Sequence, residues 1–220
     1  SSVAELVFTH LFSMARHTYH SNRTMPLEGE LNFKKLKKDY SNGMELKDKK
    51  IGIIGFGRIG QEVAKKAIGI GMKVKAHDKF IEKHSLELTF FNGDKKSFLI
   101  KTESLENVLS TSDFITLHVP KVSEKPLIGA KEIGLMKTGA GIINTSRGGI
   151  IDETALMFAL DKQKLSYAGL DVFNNEPEPS MHLLMHNAIS LTPHIGAATL
   201  EAQDRIGLEI ANEIVTYFKK

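Results

Sequence analysis

Two hydrophobic periods alternate along the chain. "SSVAELVFTHLFSMARHTY" opens in helical period, with Val3, Leu6, Val7, Leu11, Met14 and Ala15 on one broad face. Phe8 and Phe12 widen that face almost all round, so the helix needs cover on more than one side. The pattern predicts a sheet against one side and a second copy of the chain against the other, through Val3 to Ala15. A polar, lysine-rich connection is expected from about Ser21 to Lys49.

From Lys50 onward, strand-like and helix-like segments take turns. "KKIGIIGFG" is a buried-strand run ending in glycines, and Arg58 to Gly69 reads as a helix with Ile59, Val63, Ala67 and Ile68 inward. "MKVKAHD" is a strand; Phe80 to Lys101 is irregular, with a small hairpin around "FNGDKKSF". "TESLENVLSTSD" is a short capped helix, "FITLHVP" a strand stopped by Pro120, and "GAKEIGLMK" a helix. "AGIINT" is a strand, "DETALMFALDKQ" a helix capped by Asp152, and "YAGLDVF" and "AISLTP" are further strands. The last helix carries Ile206, Ile210, Ile214 and Phe218 at four-residue steps. Such alternation predicts an α/β fold: a doubly wound parallel sheet, with residues 1–220 forming one dinucleotide-binding domain.

Composition narrows the chemistry. The 220 residues are 41% hydrophobic, enough for a sizeable core without staples. There is no cysteine, which excludes disulfides, thiolate metal sites and cysteine nucleophiles and fits a cytoplasmic enzyme. The net charge is +3, and the runs "FKKLKKDY" and "KDKK" read as solvated faces, so no nucleic-acid partner is expected. No stretch approaches the ~20 apolar residues of a membrane span. Glu5 and the lack of a basic leader argue against a signal peptide, and the abrupt helical start is expected of a piece of a longer chain.

"GFGRIG" spaces Gly55, Gly57 and Gly60 as G-x-G-x-x-G, and its setting gives it weight. A strand ends there, a helix begins there, and Asp78 closes the next strand near the ~20-residue spacing of the acid that grips an adenosine ribose. The first glycine permits the turn, the second admits the pyrophosphate and the third packs helix on strand. The helix N-terminus meets the phosphates. A carboxylate at the ribose favours NAD over a 2′-phosphorylated cofactor, although Lys79 could soften the repulsion.

Pro120, Arg147, Asp171 and His194 each fall at or just after the carboxyl end of a strand, as Gly55 and Asp78 do. Ligands of open α/β sheets bind along that edge. An arginine for a substrate carboxylate, a histidine for a proton and an acid to hold the histidine suit the reduction of a 2-oxo acid. His182 and His186 have metal-like spacing but no third ligand, so no metal is expected. His17 and His20 are expected in the first helix, facing solvent or a subunit contact.

"SVAELV", "GFGRIG", "HVP", "NTSRGG", "GLDVF" with "NEP", and "TPHIGAAT" with "EAQ", in this order, resemble the D-isomer-specific 2-hydroxyacid dehydrogenases from Ser2 to about Tyr217. The resemblance implies that Arg147 binds the substrate carboxylate, His194 is the general acid–base, and Glu176 holds the imidazole and favours its charged form. It also implies Arg58 and Ile59 at the pyrophosphate and Val119 with Pro120 on the adenine side. Thr145, Ser146, Asp171, Gly196 and Ala197 would line the nicotinamide end, beside Arg147 and His194. The Phe80–Lys101 stretch is longer than the compact strand usual there, which implies a different adenine-side wall. The family builds its substrate domain from flanking segments, so residues 1–220 correspond to the cofactor domain, and a homodimer or larger homo-oligomer is implied. "IGAKEIGLMK" and "EAQDRIGLEIANEIV" are most similar to members that oxidise 3-phosphoglycerate in serine synthesis. Reduction of hydroxypyruvate, glyoxylate or another 2-oxo acid is the alternative. From a different class, the same scaffold serves as an NAD-responsive co-repressor module.

Overall fold

A computed structural model describes residues 1–218. Six parallel strands form its sheet: β1 (Lys50–Ile54), β2 (Lys73–His77), β5 (Phe114–Leu117), β6 (Ala140–Asn144), β7 (Leu165–Leu170) and β8 (Ile189–Leu191). Their order is β2-β1-β5-β6-β7-β8. The chain therefore leaves β1 toward one edge and returns past it to β5, which opens a crevice beyond the carboxyl ends of β1 and β5. β3 (Lys83–Thr89) and β4 (Lys95–Lys101) form a separate antiparallel hairpin, tied to β2 by a bridge between Ala76 and Thr102. The hairpin expected around "FNGDKKSF" is thus longer than its turn suggested. Leu86 anchors it in the core.

Side chains alternate across the sheet and feed two cores. Ile51, Ile53, Phe114 and Ile143 face α1 (Ser2–Arg16) and α3 (Arg58–Gly69). Ile54, Ile115, Leu117 and Ile142 face α4 (Leu105–Thr111), α5 (Ala130–Leu135) and α6 (Glu153–Asp161). The strands are hydrophobic on both faces because both are covered. Ser104 and Asp152 cap α4 and α6 by accepting the amides of Asn107 (3.2 Å) and Ala155 (3.0 Å).

Four expectations are corrected. Residues 18–39 are not a connection but a helix, α2 (Thr18–Asp39), kinked at Asn32. Only Leu36 on it is buried, so no packed face imprinted a period on a sequence otherwise rich in helix-forming Lys, Glu and Leu. Ile59 does not point inward: it is 41% exposed at the sheet rim, while Val63, Ala64 and Ala67 pack the core. His17 is the left-handed residue joining α1 to α2, packed against Tyr40 and Tyr167, and His20 lies in α2.

The fourth correction concerns α1. Ala4, Val7, Phe8, Leu11, Met14 and Ala15 are all buried against β6, β7, β8 and α3 of the same chain. The helix fills a groove between sheet and α3, which covers most of its apolar girth within one chain and leaves Phe12 46% exposed. More apolar surface is uncovered on α8 (Leu200–Phe218), where Ala202 alone is buried, and on α2, where Leu27, Leu31 and Phe33 are exposed. α7 (Met181–Leu184) is a single turn before β8. No helix among the described residues is long and apolar enough to cross a membrane.

Leu11 is fully buried in its own chain. Leu11→Ala is expected to cost about 2–5 kcal/mol in urea unfolding, equally at low and high protein concentration. A loss that grows on dilution would restore the subunit contact.

Candidate active site

The parallel sheet delivers six strand ends to one rim, and the expected site residues follow them directly. At the end of β1, Gly55 has φ +94° and donates its amide to the His77 carbonyl at 2.8 Å. A Cβ there would strike the His118 carbonyl, so only glycine fits the turn. A Cβ on Gly60 would run into the Gly55 carbonyl oxygen and crowd Ile53, which is the close helix–strand contact expected of the third glycine. Gly57 differs from both: a Cβ there would meet nothing within 4 Å. It caps α3 without a side-chain acceptor, leaving first-turn amides and the helix dipole facing an open cradle. Arg58 projects beside it, 3.3 Å from Glu209 of α8.

Asp78 ends β2 and holds the loop together. Its Oδ2 accepts the Phe56 amide at 2.7 Å, and its Oδ1 accepts those of Phe80 (2.8 Å) and Ile81 (3.1 Å). Burial pushes its carboxyl up, but these three donors pull it further down, below the ordinary aspartate range. It is therefore an anion where a ribose would be held, and it also orders the glycine loop, a task the sequence did not reveal. Val119 and Pro120 follow β5 on this side, and the β3–β4 hairpin adds His84 against the Phe56 ring, 6.4 Å between centroids.

At the other end of the rim, a cleft is lined by Thr145, Arg147, Asp171, His194, Gly196 and Ala197. Asn144, at the end of β6, shapes its first wall. Its Oδ1 accepts from the Ser146 amide (3.1 Å) and hydroxyl (2.8 Å), while its Nδ2 donates to the Arg147 carbonyl at 2.9 Å. That turn presents the exposed Arg147 guanidinium. Gly148 sits so close to the Phe173 carbonyl that no Cβ fits, and Glu153 accepts the Asn174 amide at 2.7 Å. These contacts lock the arginine turn to the loop carrying Glu176. Asn144 and Glu153 were missed in the sequence, where a strand-end Asn and a first-turn Glu carry only turn and dipole signals.

His194 has φ +55°, a strained value for a non-glycine residue. Asp171, fully buried at the end of β7, enforces it: Oδ1 accepts from the Ile195 amide (2.8 Å) and the Thr192 hydroxyl (2.6 Å), and Oδ2 from the Gly196 amide (2.8 Å). The His194 Nδ1 meets Glu176 Oε2 at 2.7 Å, and the other Glu176 oxygen accepts the Phe173 amide at 2.8 Å. A carboxylate at Nδ1 fixes the ring proton there and leaves Nε2 free toward the cleft. Burial pushes the Glu176 carboxyl up, yet the hydrogen bonds from His194 and the Phe173 amide, with the charges of His194 and Arg147, bring it below the usual glutamate range.

The rim suits a dinucleotide on two observations: the space a Gly57 side chain would fill is open, and Thr145 Oγ1, in the cleft wall, is buried without a hydrogen-bond partner. His182 and His186 do not join the site; His186 faces Asp161 at 3.3 Å.

Residues 8–196 match the family model described as D-isomer specific 2-hydroxyacid dehydrogenase, NAD binding domain. A hydroxypyruvate reductase of Thermotoga maritima is 41% identical over 217 residues, covering 97% of this chain and 65% of that protein. A D-3-phosphoglycerate dehydrogenase of Archaeoglobus fulgidus is 37% identical over 220 residues, 99% of this chain and 39% of that protein. A glyoxylate reductase structure from Paecilomyes thermophila superposes with a TM-score of 0.82 at 30% identity, covering all of this chain and 62% of that one. The D-lactate dehydrogenase of Aquifex aeolicus, complexed with NAD and lactic acid, gives 0.79 at 29% identity, covering all of this chain and 66% of that one. The chain thus spans about 65% or less of these two curated relatives.

The two glycines separate cradle from packing. Gly60→Ala is expected to lose about 1–3 kcal/mol or more, by overpacking against backbone. Gly57→Ala should unfold within about 0.5 kcal/mol of the parent yet bind NAD more weakly in calorimetric titration. Equal destabilisation of both would contradict this reading.

Glu176 gives a pH test. A carboxyl lowered in the folded state contributes stability in full above the ordinary glutamate range and loses it as pH falls through the lowered value. Carbon-13 titration of Glu176 should show a midpoint below that of free glutamate, moving up in His194→Ala. A midpoint unmoved by that substitution would disprove the pairing.

Proposed function

The chain belongs to the D-isomer-specific 2-hydroxyacid dehydrogenases as their NAD-binding domain, and we propose that its rim catalyses hydride exchange between NAD and a D-2-hydroxy acid. The observation that carries this is the His194–Glu176 pair beside Arg147, on the same sheet edge as the glycine cradle. Gly57 and the first turn of α3 hold the pyrophosphate, with Arg58 and Ile59 beside it, Asp78 the adenosine ribose, and Val119 with Pro120 the adenine side. Thr145, Ser146, Asp171, Gly196 and Ala197 border the nicotinamide, which supplies the hydride acceptor when bound.

The residues divide the remaining work. The Arg147 guanidinium pairs with the substrate carboxylate, a match of planar donors to paired oxygens, and orients the substrate's C2. In oxidation, His194 Nε2 takes the C2 hydroxyl proton as the C2 hydride departs, leaving the 2-oxo acid and an imidazolium. Glu176 at Nδ1 stabilises that imidazolium and keeps Nε2 aimed at the cleft. In reduction the same proton returns to the substrate oxygen. The preferred substrate is 3-phosphoglycerate, oxidised to 3-phosphohydroxypyruvate in serine biosynthesis, a reading supported by the D-3-phosphoglycerate dehydrogenases among the relatives. Hydroxypyruvate reduction is the second reading, favoured by the relative from Thermotoga maritima.

In the full-length protein, NADH formation with 3-phosphoglycerate should outpace NADH consumption with hydroxypyruvate, and the reverse ranking selects the second reading. His194→Ala should lower kcat by about 100- to 10,000-fold in either case. Residues 1–220 alone should bind NAD with negligible turnover, because Arg147 and His194 then act across open solvent. Comparable turnover by that segment would contradict the proposed division of labour. NADH should bind more tightly than NADPH, and Asp78→Asn should narrow the gap, with its single amide oxygen able to accept on only one side of the loop, from Phe56 or from Phe80 and Ile81; equal affinities in the parent would remove Asp78 from cofactor choice.

A further inference from the structure

α1 reaches the catalytic loop through a buried histidine that the proposed reaction does not use. His10 is 1% exposed, lies against Gly169 of β7, and makes two hydrogen bonds: Nδ1 to Ser190 Oγ at 2.9 Å and Nε2 to Thr192 Oγ1 at 3.1 Å. The Thr192 hydroxyl in turn lies 2.6 Å from Asp171 Oδ1.

The polarity of this chain follows from its far end. An ionised carboxylate can only accept, so the Thr192 hydroxyl spends its proton on Asp171. Thr192 Oγ1 must then accept from His10, which puts the His10 proton on Nε2. With Nε2 protonated and the ring neutral, Nδ1 is an acceptor and takes the Ser190 hydroxyl proton. Burial, against the opposing pull of Asp171, keeps the ring neutral by pushing its pKa down to about 4. Every bond then points the same way: Ser190 to His10, His10 to Thr192, Thr192 to Asp171. Hydrogen bonds aligned in one direction reinforce one another.

We propose that His10 is a positioning residue for the catalytic loop. It acts through Thr192 on Asp171, the carboxylate that holds the Ile195 and Gly196 amides and keeps His194 in its left-handed conformation. Without the imidazole, Thr192 has no donor behind it and is free to rotate. Asp171 then loses one of three donors, and the loop it clamps relaxes. Ser2, at the start of the same helix, donates its hydroxyl to the Gly196 carbonyl at 2.7 Å, so α1 grips both ends of the loop segment. A hydrophobic residue would suit this buried helical position, but only a side chain that can donate to Thr192 and accept from Ser190 completes the chain.

The inference rests on His194 being the acid–base residue, and its test separates the two. In the full-length protein, His10→Leu and Thr192→Val should each lower kcat by between about 10-fold and 100-fold. The double variant should be no worse than either single one, because both cut the same chain. His10→Gln, whose amide offers a donor to Thr192 and an acceptor to Ser190, should recover most of the loss. Histidine labelled with carbon-13 and nitrogen-15 should show the His10 ring neutral and protonated at Nε2.

If His10→Leu leaves kcat unaltered, or the two losses add, the inference fails while a dead His194→Ala keeps the proposed function. If His194→Ala retains activity, the proposed function itself fails. An Nδ1-protonated His10 would overturn the direction of the chain. Should His10→Leu not fold, Thr192→Val, His10→Gln and the tautomer measurement decide alone.

Discussion

Asp171 is a carboxylate with no exposed surface just after β7, and such a group survives burial only if donors surround it. The donors available are the Ile195 and Gly196 amides and the Thr192 hydroxyl, all from the turn that follows β8. Satisfying the charge therefore dictates the backbone of that turn, and with it the left-handed His194. The stabilising requirement and the functional geometry are one constraint. The same carboxylate lies in the wall of the cleft with Arg147, so its negative charge belongs to the field in which a nicotinamide would sit.

The rest of the molecule presents groups to that point. Parallel pairing sends six carboxyl ends to one edge, and the reversal of strand order beside β1 opens the crevice there. Backbone packing then fixes the distances. Gly60 seats α3 on β1, Gly148 seats the arginine turn against the Phe173 carbonyl, and the Glu153 carboxylate ties Asn174. α1, read from its pattern as an interface helix, packs into the domain and touches the His194 loop through Ser2.

Much of this was legible in residues because local signals and tertiary packing agree. The two-faced strands β1 and β6 and the capped α4 and α6 carry their period or cap in a few adjacent residues. Gly57 and Gly60 announced a cradle through spacing and context. α2 escaped because a helix that buries one residue leaves no period to read. The partners of Asp171 escaped for another reason: they lie 21 to 25 residues away in sequence, and nothing local in "TPHIG" says which carboxylate it will fold onto. His10 lies 182 residues from Thr192 and reads as one more residue on an apolar helix. Ile59 was assigned inward by period alone, which cannot register that the first turn of a helix at a rim has no roof.

The central claim is that the carboxyl rim of the sheet is a preformed NAD site ending at a pinned His194. Amide chemical-shift mapping during NAD titration tests it most directly. The account predicts shifts at Gly55 to Gly60, at Asp78, at Thr145 to Arg147 and at His194 to Ala197, with the opposite edge at Lys50, Lys73, Asp113 and Ala140 unmoved. Shifts confined to that opposite edge, or none at saturating NAD, would contradict it.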